Sequence, residues 1–127
     1  VMWALNHSEG GEIFVPKIPS YRVTDVATAV APAAKQEIVG IRPGEKIHEE
    51  MITASDSPNT IDLGSYFAIL PPGDAAAIER YCDRAGAKLV PAGFSYDSGT
   101  NEDFLSVEDI RNLIQQHVDP NFAIDGQ

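Results

Sequence analysis

The chain has 127 residues, with 9 basic and 19 acidic side chains and a formal net charge of −10. A chain of this length is expected to form a single domain, residues 1–127, and to bury about two-thirds of its unfolded surface, which suffices for a core without disulfides. The charge argues against nucleic acid and anionic lipid as partners, and the single cysteine, with no signal peptide or membrane-length apolar run, predicts a cytoplasmic protein.

The first half of the chain alternates strand and helix patterns. The predicted elements are the end of a helix already under way at residues 1–5, a strand at 12–16, a helix around 24–31, a buried strand at 37–41 and a helix at 45–52. Thr24 is predicted to cap the second of these helices, and Pro32 to stop it. Ile47 and Met51 are predicted to face inward from the helix at 45–52.

The second half begins with turn residues and ends in a helix. The predicted elements are a turn-rich segment at residues 55–59, strands at 61–63 and 66–70, a helix at 75–85, an irregular stretch at 92–103 and a last helix after Ser106. Asp74 is a predicted N-cap, and Gly86 is placed to end the same helix in the left-handed conformation. Ser106 and Asp109 stand at capping-box spacing. Short strands with three to four helices predict an α/β fold.

The turn Arg42-Pro43-Gly44-Glu45 carries the most specific chemistry. The planar guanidinium of Arg42 can bind diphosphate oxygens through two hydrogen bonds, and Glu45 can accept hydrogen bonds from the two ribose hydroxyls. Taken alone, this tetrapeptide is a weak signal, and an ordinary strand-to-helix connection is the simpler interpretation.

The flanking segments make the pattern specific. They are Gly11–Ser20, Thr24–Ala27, Ile38–Ile41, Gly93–Asn101 and Leu105–Asp109. In this order they resemble the C-terminal, substrate-binding lobe of the inverting UDP-N-acetylglucosamine 4,6-dehydratases. Those enzymes are extended short-chain dehydrogenase/reductases of polysaccharide biosynthesis that begin pseudaminic acid and related bacterial glycan pathways. The resemblance implies a small substrate-binding lobe of that fold.

The chain also departs from the family. It contains no G-x-G-x-x-G dinucleotide loop, and none of its four tyrosines is followed four residues later by lysine: Tyr21, Tyr66, Tyr81 and Tyr96. The resemblance implies NADP for a full-length parent, but it places the cofactor loop and all catalytic groups in an N-terminal Rossmann half. We therefore expect a fragment that holds no cofactor, has no catalytic residue and is inactive alone.

Four residues are predicted to bind substrate. By the resemblance, Arg42 is the diphosphate ligand and Glu45 the ribose acceptor. Lys17 leaves the first predicted strand near the expected cleft, although an exposed loop lysine is the simpler interpretation. His48 is marked by the same resemblance, and a helix-face histidine bonded to backbone is an equal alternative. Residues 1–50 hold five basic and seven acidic side chains, against four and twelve in 51–127, so a diphosphate site belongs in the first part.

Other chemistries find less support. The histidines and the cysteine are widely scattered in the sequence, without the close paired spacing of zinc sites: His7, His48, His117 and Cys82. Cys82 falls on a predicted helical stripe with Tyr81 and is expected to be a packed thiol. No G-x-S-x-G is present.

The sequence thus predicts the UDP-sugar-binding part of a UDP-N-acetylglucosamine 4,6-dehydratase (5-inverting). Its expected partners are the missing Rossmann half or a neighbouring subunit, in a homo-oligomer. Two alternatives stay open. One is a fragment of a nucleotide-sugar epimerase or reductase, which also use an arginine and an acid at this spacing. The other is a free-standing interaction or oligomerisation module from a truncated gene.

Overall fold

The computed structural model of the protein describes residues 2–73 and 75–123. The helices are α1 (Met2–His7), α2 (Val23–Val30), α3 (Ala75–Ala85) and α4 (Val107–His117), with a short 3-10 helix at Ser57–Asn59. The strands are β1 (Ile13–Pro16), β2 (Glu50–Ile52), β3 (Thr60–Asp62), β4 (Tyr66–Ile69), β5 (Lys88–Leu89) and β6 (Tyr96–Asp97). The predicted α/β class, with short strands and a helix near the start of the chain, is confirmed.

The chain divides into two compact units, each built from two separate segments. The first unit contains Val1–Ile18 and Glu49–Thr100, and the second contains Pro19–His48 and Asn101–Gln127. A single domain over the whole chain stays a prediction.

The first unit is built on a four-stranded antiparallel sheet. The strand order is β1-β4-β3-β5, and β1 pairs with β4 so that Phe14 lies opposite Ala68. Strands β3 and β4, joined by a turn, were predicted, and they pair with each other. Gly64 in the turn between them has a φ of 87°, a conformation that favours glycine. A separate antiparallel pair joins β2 to β6.

Both faces of this sheet are covered. Side chains alternate along a strand, so Phe67 and Ala68 of β4 enter opposite clusters. On one side, Ala68 packs with Ala77 and Tyr81 of α3. On the other, Phe67 packs with Ile52 of β2. The sheet therefore has one core under α3 and a second under the β2-β6 pair.

The second unit pairs α2 with α4. Ala29 of α2 and Ile110 of α4 are buried. Arg111 extends this contact, because its Nε donates to the carbonyl of Ala29 at 3.3 Å and so satisfies an acceptor in the last turn of α2. The backbone N–H of Ser20 donates to Asp103 at 2.8 Å, and its carbonyl accepts from Leu105 at 2.8 Å.

The predicted ends of α3 and α4 have different outcomes. The capping box of Ser106 and Asp109 is confirmed, with reciprocal side-chain to backbone hydrogen bonds. Gly86 ends α3 with a φ of 62°, also as predicted. Asp74, the predicted N-cap of α3, lies outside the described residues.

Several local predictions were wrong. Residues 37–41 form no strand, and Ile38 is 91% exposed, because this segment pairs with no other strand in the described part of the chain. Residues 45–52 form no helix; β2 occupies their end instead, since it pairs with β6 far along the chain. Ile47 and Met51 are correspondingly exposed, not inward. Thr24 caps nothing: α2 begins at Val23, with Arg22 at the N-cap and no side-chain cap.

Candidate functional site

The backbone of the Arg42–Glu45 segment forms the turn that its sequence predicts. The N–H of Glu45 donates to the carbonyl of Arg42 at 3.1 Å. Proline suits the second position of such a turn, and Gly44 at the third has a φ of 89°, which a residue with a side chain adopts only with strain. Open space surrounds Gly44, so its backbone conformation and not its surroundings requires glycine there.

The turn carries both predicted ligand side chains into solvent. Arg42 is 82% exposed and Glu45 51% exposed in their side chains. The Glu45 carboxylate folds back over the turn, where Oε2 accepts the backbone N–H of Arg42 at 2.9 Å and Oε1 lies 4.0 Å from Arg42 Nε. An exposed ion pair at that separation contributes little to stability, so the guanidinium can engage a ligand at little cost.

Lys17 lies in the first unit, whereas the other predicted ligands lie in the second. Its Nζ donates to Asp62 Oδ1 at 2.7 Å and sits 4.4 Å from the ring centroid of Phe67. These contacts join the end of β1 to β3 and β4. The geometry therefore gives Lys17 a structural role, and its role as a ligand stays a prediction.

His48 is exposed and lies in an irregular stretch two residues before β2. The helix that was to display it is absent, so the alternative of a helix-face histidine does not apply. The structure brings Arg42 and Glu45 together, and His48 shares their unit.

Sequence reasoning missed Glu12, a carboxylate that accepts four hydrogen bonds. Its Oε2 accepts from Ser8 Oγ at 2.7 Å and from the Gly10 N–H at 2.8 Å. Its Oε1 accepts from the Glu9 N–H and from Tyr81 Oη, both at 2.8 Å. Glu12 thereby ties the loop after α1 to the buried face of α3. The one local signal was the glycine pair before it, which allows backbone N–H groups to converge on a carboxylate.

The ionisation of Glu12 reflects this environment. Burial is the largest single effect and raises the pKa, but the hydrogen bonds from Ser8, Tyr81 and the backbone together lower it further than burial raises it. The pKa falls from 4.5 to about 2. Glu12 is thus a charged structural anchor in the first unit at neutral pH.

The described residues do not fit a dinucleotide cofactor. Dinucleotide phosphates bind where a glycine-rich loop leads from a strand into a helix N-terminus. Here Gly10 and Gly11 lie in the reverse order, after α1 and before β1, and Gly11 packs against Pro71. Within residues 2–73 and 75–123, no group of histidine, cysteine, aspartate or glutamate could hold a metal ion. None of the helices described is long and apolar enough to cross a bilayer.

Comparison with known proteins places this turn in a family context. The model of the polysaccharide biosynthesis protein family matches residues 1–71, which include Arg42 and Glu45. The chain belongs to this family. The resemblance inferred from the sequence is therefore confirmed.

Individual relatives agree with this assignment. A UDP-N-acetylglucosamine 4,6-dehydratase (inverting) from Campylobacter jejuni is 40% identical over 112 residues, covering 83% of this chain and 33% of the relative. A UDP-glucose 4-epimerase from Rickettsia canadensis is 30% identical over 118 residues, covering 90% and 34%. The X-ray structure of Pen from Bacillus thuringiensis has a TM-score of 0.68 and 28% identity, covering 91% of this chain and 34% of that one. The chain spans about a third of the length of these relatives, and it is related to the nucleotide-sugar dehydratases and epimerases.

Proposed function

We propose that this polysaccharide biosynthesis family chain is the substrate-binding lobe of a UDP-N-acetylglucosamine 4,6-dehydratase and binds a UDP-sugar through the Arg42–Glu45 turn. Arg42 binds the diphosphate, and Glu45 accepts a ribose hydroxyl. His48, in the same unit, is a secondary candidate for this substrate, and Lys17 is a separate candidate for binding a UDP-sugar. The observation that carries the proposal is the exposed guanidinium of Arg42 on a turn whose backbone is fixed by Pro43 and Gly44.

The chemistry of the turn supports this assignment. A guanidinium presents planar donors that match two phosphate oxygens at once, and a turn holds the arginine backbone without burying its side chain. A diphosphate would gain charge-assisted hydrogen bonds at the expense of only the 4.0 Å contact with Glu45. Binding through this turn therefore requires little rearrangement of protein contacts.

The reaction itself is assigned to a part of the enzyme that this chain does not contain. The NADP of the parent and the catalytic groups belong to a dinucleotide-binding half, supplied by the same longer polypeptide or by a neighbouring subunit. Exposed apolar side chains around the turn support such a partner. These side chains are Ile38, Val39, Ile41 and Ile47. Alone, the chain should neither retain NADP nor turn over UDP-N-acetylglucosamine.

The pathway that we propose is the one implied by the sequence resemblance, which leads to pseudaminic acid or a related surface sugar; the likeness to the Campylobacter jejuni enzyme supports the dehydratase assignment. The second candidate is a nucleotide-sugar epimerase, favoured by the identity to the Rickettsia enzyme over 90% of the chain. Both candidates use the same UDP-binding turn. A product assay on the complete enzyme separates them, since a dehydratase gives a 4-keto-6-deoxy sugar and an epimerase does not.

UDP binding by the chain tests the site. We expect an NMR titration with UDP to shift the Arg42 resonances, and Arg42→Lys to weaken binding by about 1–3 kcal/mol, because lysine keeps the charge but loses the bidentate geometry. Arg22→Lys is a matched control. Arg22 is also exposed and pairs with an acid three residues later, Asp25, at 3.6 Å. Equal UDP affinity in the two lysine variants would refute the site.

A further inference from the structure

We propose that Glu45 is a positioning residue for Arg42, in addition to any contact that it makes with ribose. This inference rests on the proposed function, since it assigns a way in which the diphosphate site is held before substrate arrives. The observation behind it is the hydrogen bond from the Arg42 N–H to Glu45 Oε2 at 2.9 Å.

This hydrogen bond completes the fixation of the Arg42 backbone. The carbonyl of Arg42 already accepts the N–H of Glu45 at 3.1 Å, which closes the turn. The Glu45 carboxylate then holds the N–H of Arg42, so both polar backbone groups of one residue are bonded within the turn. With both peptide groups of Arg42 fixed, the direction of its Cα–Cβ bond is fixed as well. The side chain therefore starts from a defined position although it is 82% exposed.

The two carboxylate oxygens of Glu45 make different contacts. Oε2 accepts the backbone N–H of Arg42, while Oε1 lies 4.0 Å from Arg42 Nε. A carboxylate has lone pairs enough for both tasks. Its negative charge, however, repels a diphosphate. Removing that charge should by itself tighten the binding of an anion.

Loss of the hydrogen bond and loss of the negative charge should change the affinity for a diphosphate in opposite directions. Inorganic pyrophosphate is therefore a decisive probe. Pyrophosphate carries the two phosphates and has no ribose. If Glu45 acts only on ribose, Glu45→Ala should bind pyrophosphate as well as or better than the wild type. If Glu45 positions Arg42, Glu45→Ala should bind it about three- to tenfold more weakly, the loss expected for one exposed hydrogen bond. Glu45→Gln keeps an oxygen acceptor for the Arg42 N–H and should restore the binding.

The chain offers a matched control for charge. Asp25 follows Arg22 at the same spacing and in the same unit, but it lies in the first turn of α2. Asp25→Ala therefore removes one negative charge without loosening the Arg42 turn, and it should not weaken pyrophosphate binding. A spectroscopic readout accompanies these titrations. The Arg42 amide proton should resonate downfield in the wild type and in Glu45→Gln, and move upfield in Glu45→Ala.

The outcomes separate this inference from the proposed function. If Arg42→Ala and the wild type bind pyrophosphate equally, the diphosphate site itself is refuted. If Arg42→Ala weakens binding but Glu45→Ala does not, the site stands and the positioning role is overturned. An Arg42 amide resonance that is the same in the wild type and in Glu45→Ala also overturns it. Weak binding in Glu45→Ala with restoration in Glu45→Gln is the expected result.

Discussion

Glu12 should stabilise the first unit through its charge, and the gain should disappear in acid. Its pKa is about 2 in the folded chain, against an ordinary value of 4.5. A pKa difference of one corresponds to about 1.4 kcal/mol, so the shift corresponds to roughly 3 kcal/mol of unfolding free energy. Glu12 is half-buried, and solvent screening reduces the expected figure to about 2 kcal/mol. Four donors converge on its two oxygens, which is the physical origin of the effect.

The perturbation is Glu12→Gln, measured by chemical denaturation at pH 7 and pH 3. The glutamine amide keeps one acceptor oxygen and turns its NH2 group toward two donors, so those hydrogen bonds are lost. We expect the variant to be less stable than the wild type by about 2 kcal/mol at pH 7.

The sign of the pH dependence follows from the direction of the shift. Because the folded pKa of Glu12 is depressed, its stabilisation is complete above the unfolded value of 4.5 and is lost as the pH falls toward about 2. The difference between variant and wild type should therefore shrink between pH 5 and pH 3.

Other carboxyl groups do not disturb this comparison. Hydrogen bonds lower the pKa of Asp56, Asp97 and Asp109, chiefly from Thr53, Ser95 and Ser106, but these groups are common to both proteins. Glu79→Gln, on the exposed side of α3, makes the same charge change as a control and should have little effect. A Glu12→Gln deficit that is equally large at both pH values would refute the reasoning.

Two further substitutions test the start of α4 and the contact between β6 and the segment after β1. Ser106→Ala removes the hydroxyl that accepts the Asp109 N–H and should cost about 1 kcal/mol of unfolding free energy, measured by denaturation, whereas an unchanged midpoint would contradict the capping box. Tyr96→Phe removes an Oη that accepts the Ile18 N–H at 2.9 Å and donates to the Ile18 carbonyl at 2.8 Å. It should lower the free energy of unfolding by about 1–2 kcal/mol and speed hydrogen exchange of the Ile18 amide, and unchanged exchange would show that the hydroxyl does not hold the segment after β1.

Elements with a local code were predictable from the sequence. The start of α4 is specified by Ser106 and Asp109 within four residues, and the end of α3 by Gly86. The Arg42–Glu45 turn belongs to the same class, because Pro43 and Gly44 restrict the backbone whatever surrounds them.

Elements that depend on distant pairing were not predictable. The sequence after Gly44 has apolar residues at helical spacing, yet Glu50–Ile52 forms a strand because it meets Tyr96–Asp97. Residues 37–41 have the composition of a strand, but a strand exists only where another segment pairs with it. The local sequence pattern indicates which secondary structure a segment favours, but pairing with a distant strand determines which one it forms.

The same distinction applies to the candidate site. The identity of Arg42 and Glu45 as a pair could be inferred from their spacing, but the return of the carboxylate to the Arg42 N–H could not, since alternative rotamers of Glu45 point into solvent. Lys17 and Asp62 are 45 positions apart, and no local sequence pattern indicates that they are in contact. Glu12 was missed because Tyr81, one of its four donors, lies on α3.

The energetics of the two cations explain why Arg42, and not Lys17, is the stronger candidate for a diphosphate. To reach a ligand, Lys17 would give up a 2.7 Å ion pair with Asp62 and its position over the Phe67 ring, together on the order of 1–2 kcal/mol. It would also leave the Asp62 carboxylate without its ion-pair partner, which favours the ligand-free arrangement in which Lys17 contacts Asp62. Arg42 gives up only an exposed contact at 4.0 Å, while its backbone stays fixed by the turn. A side chain that is free at its tip and fixed at its backbone loses the least free energy when it binds an anion.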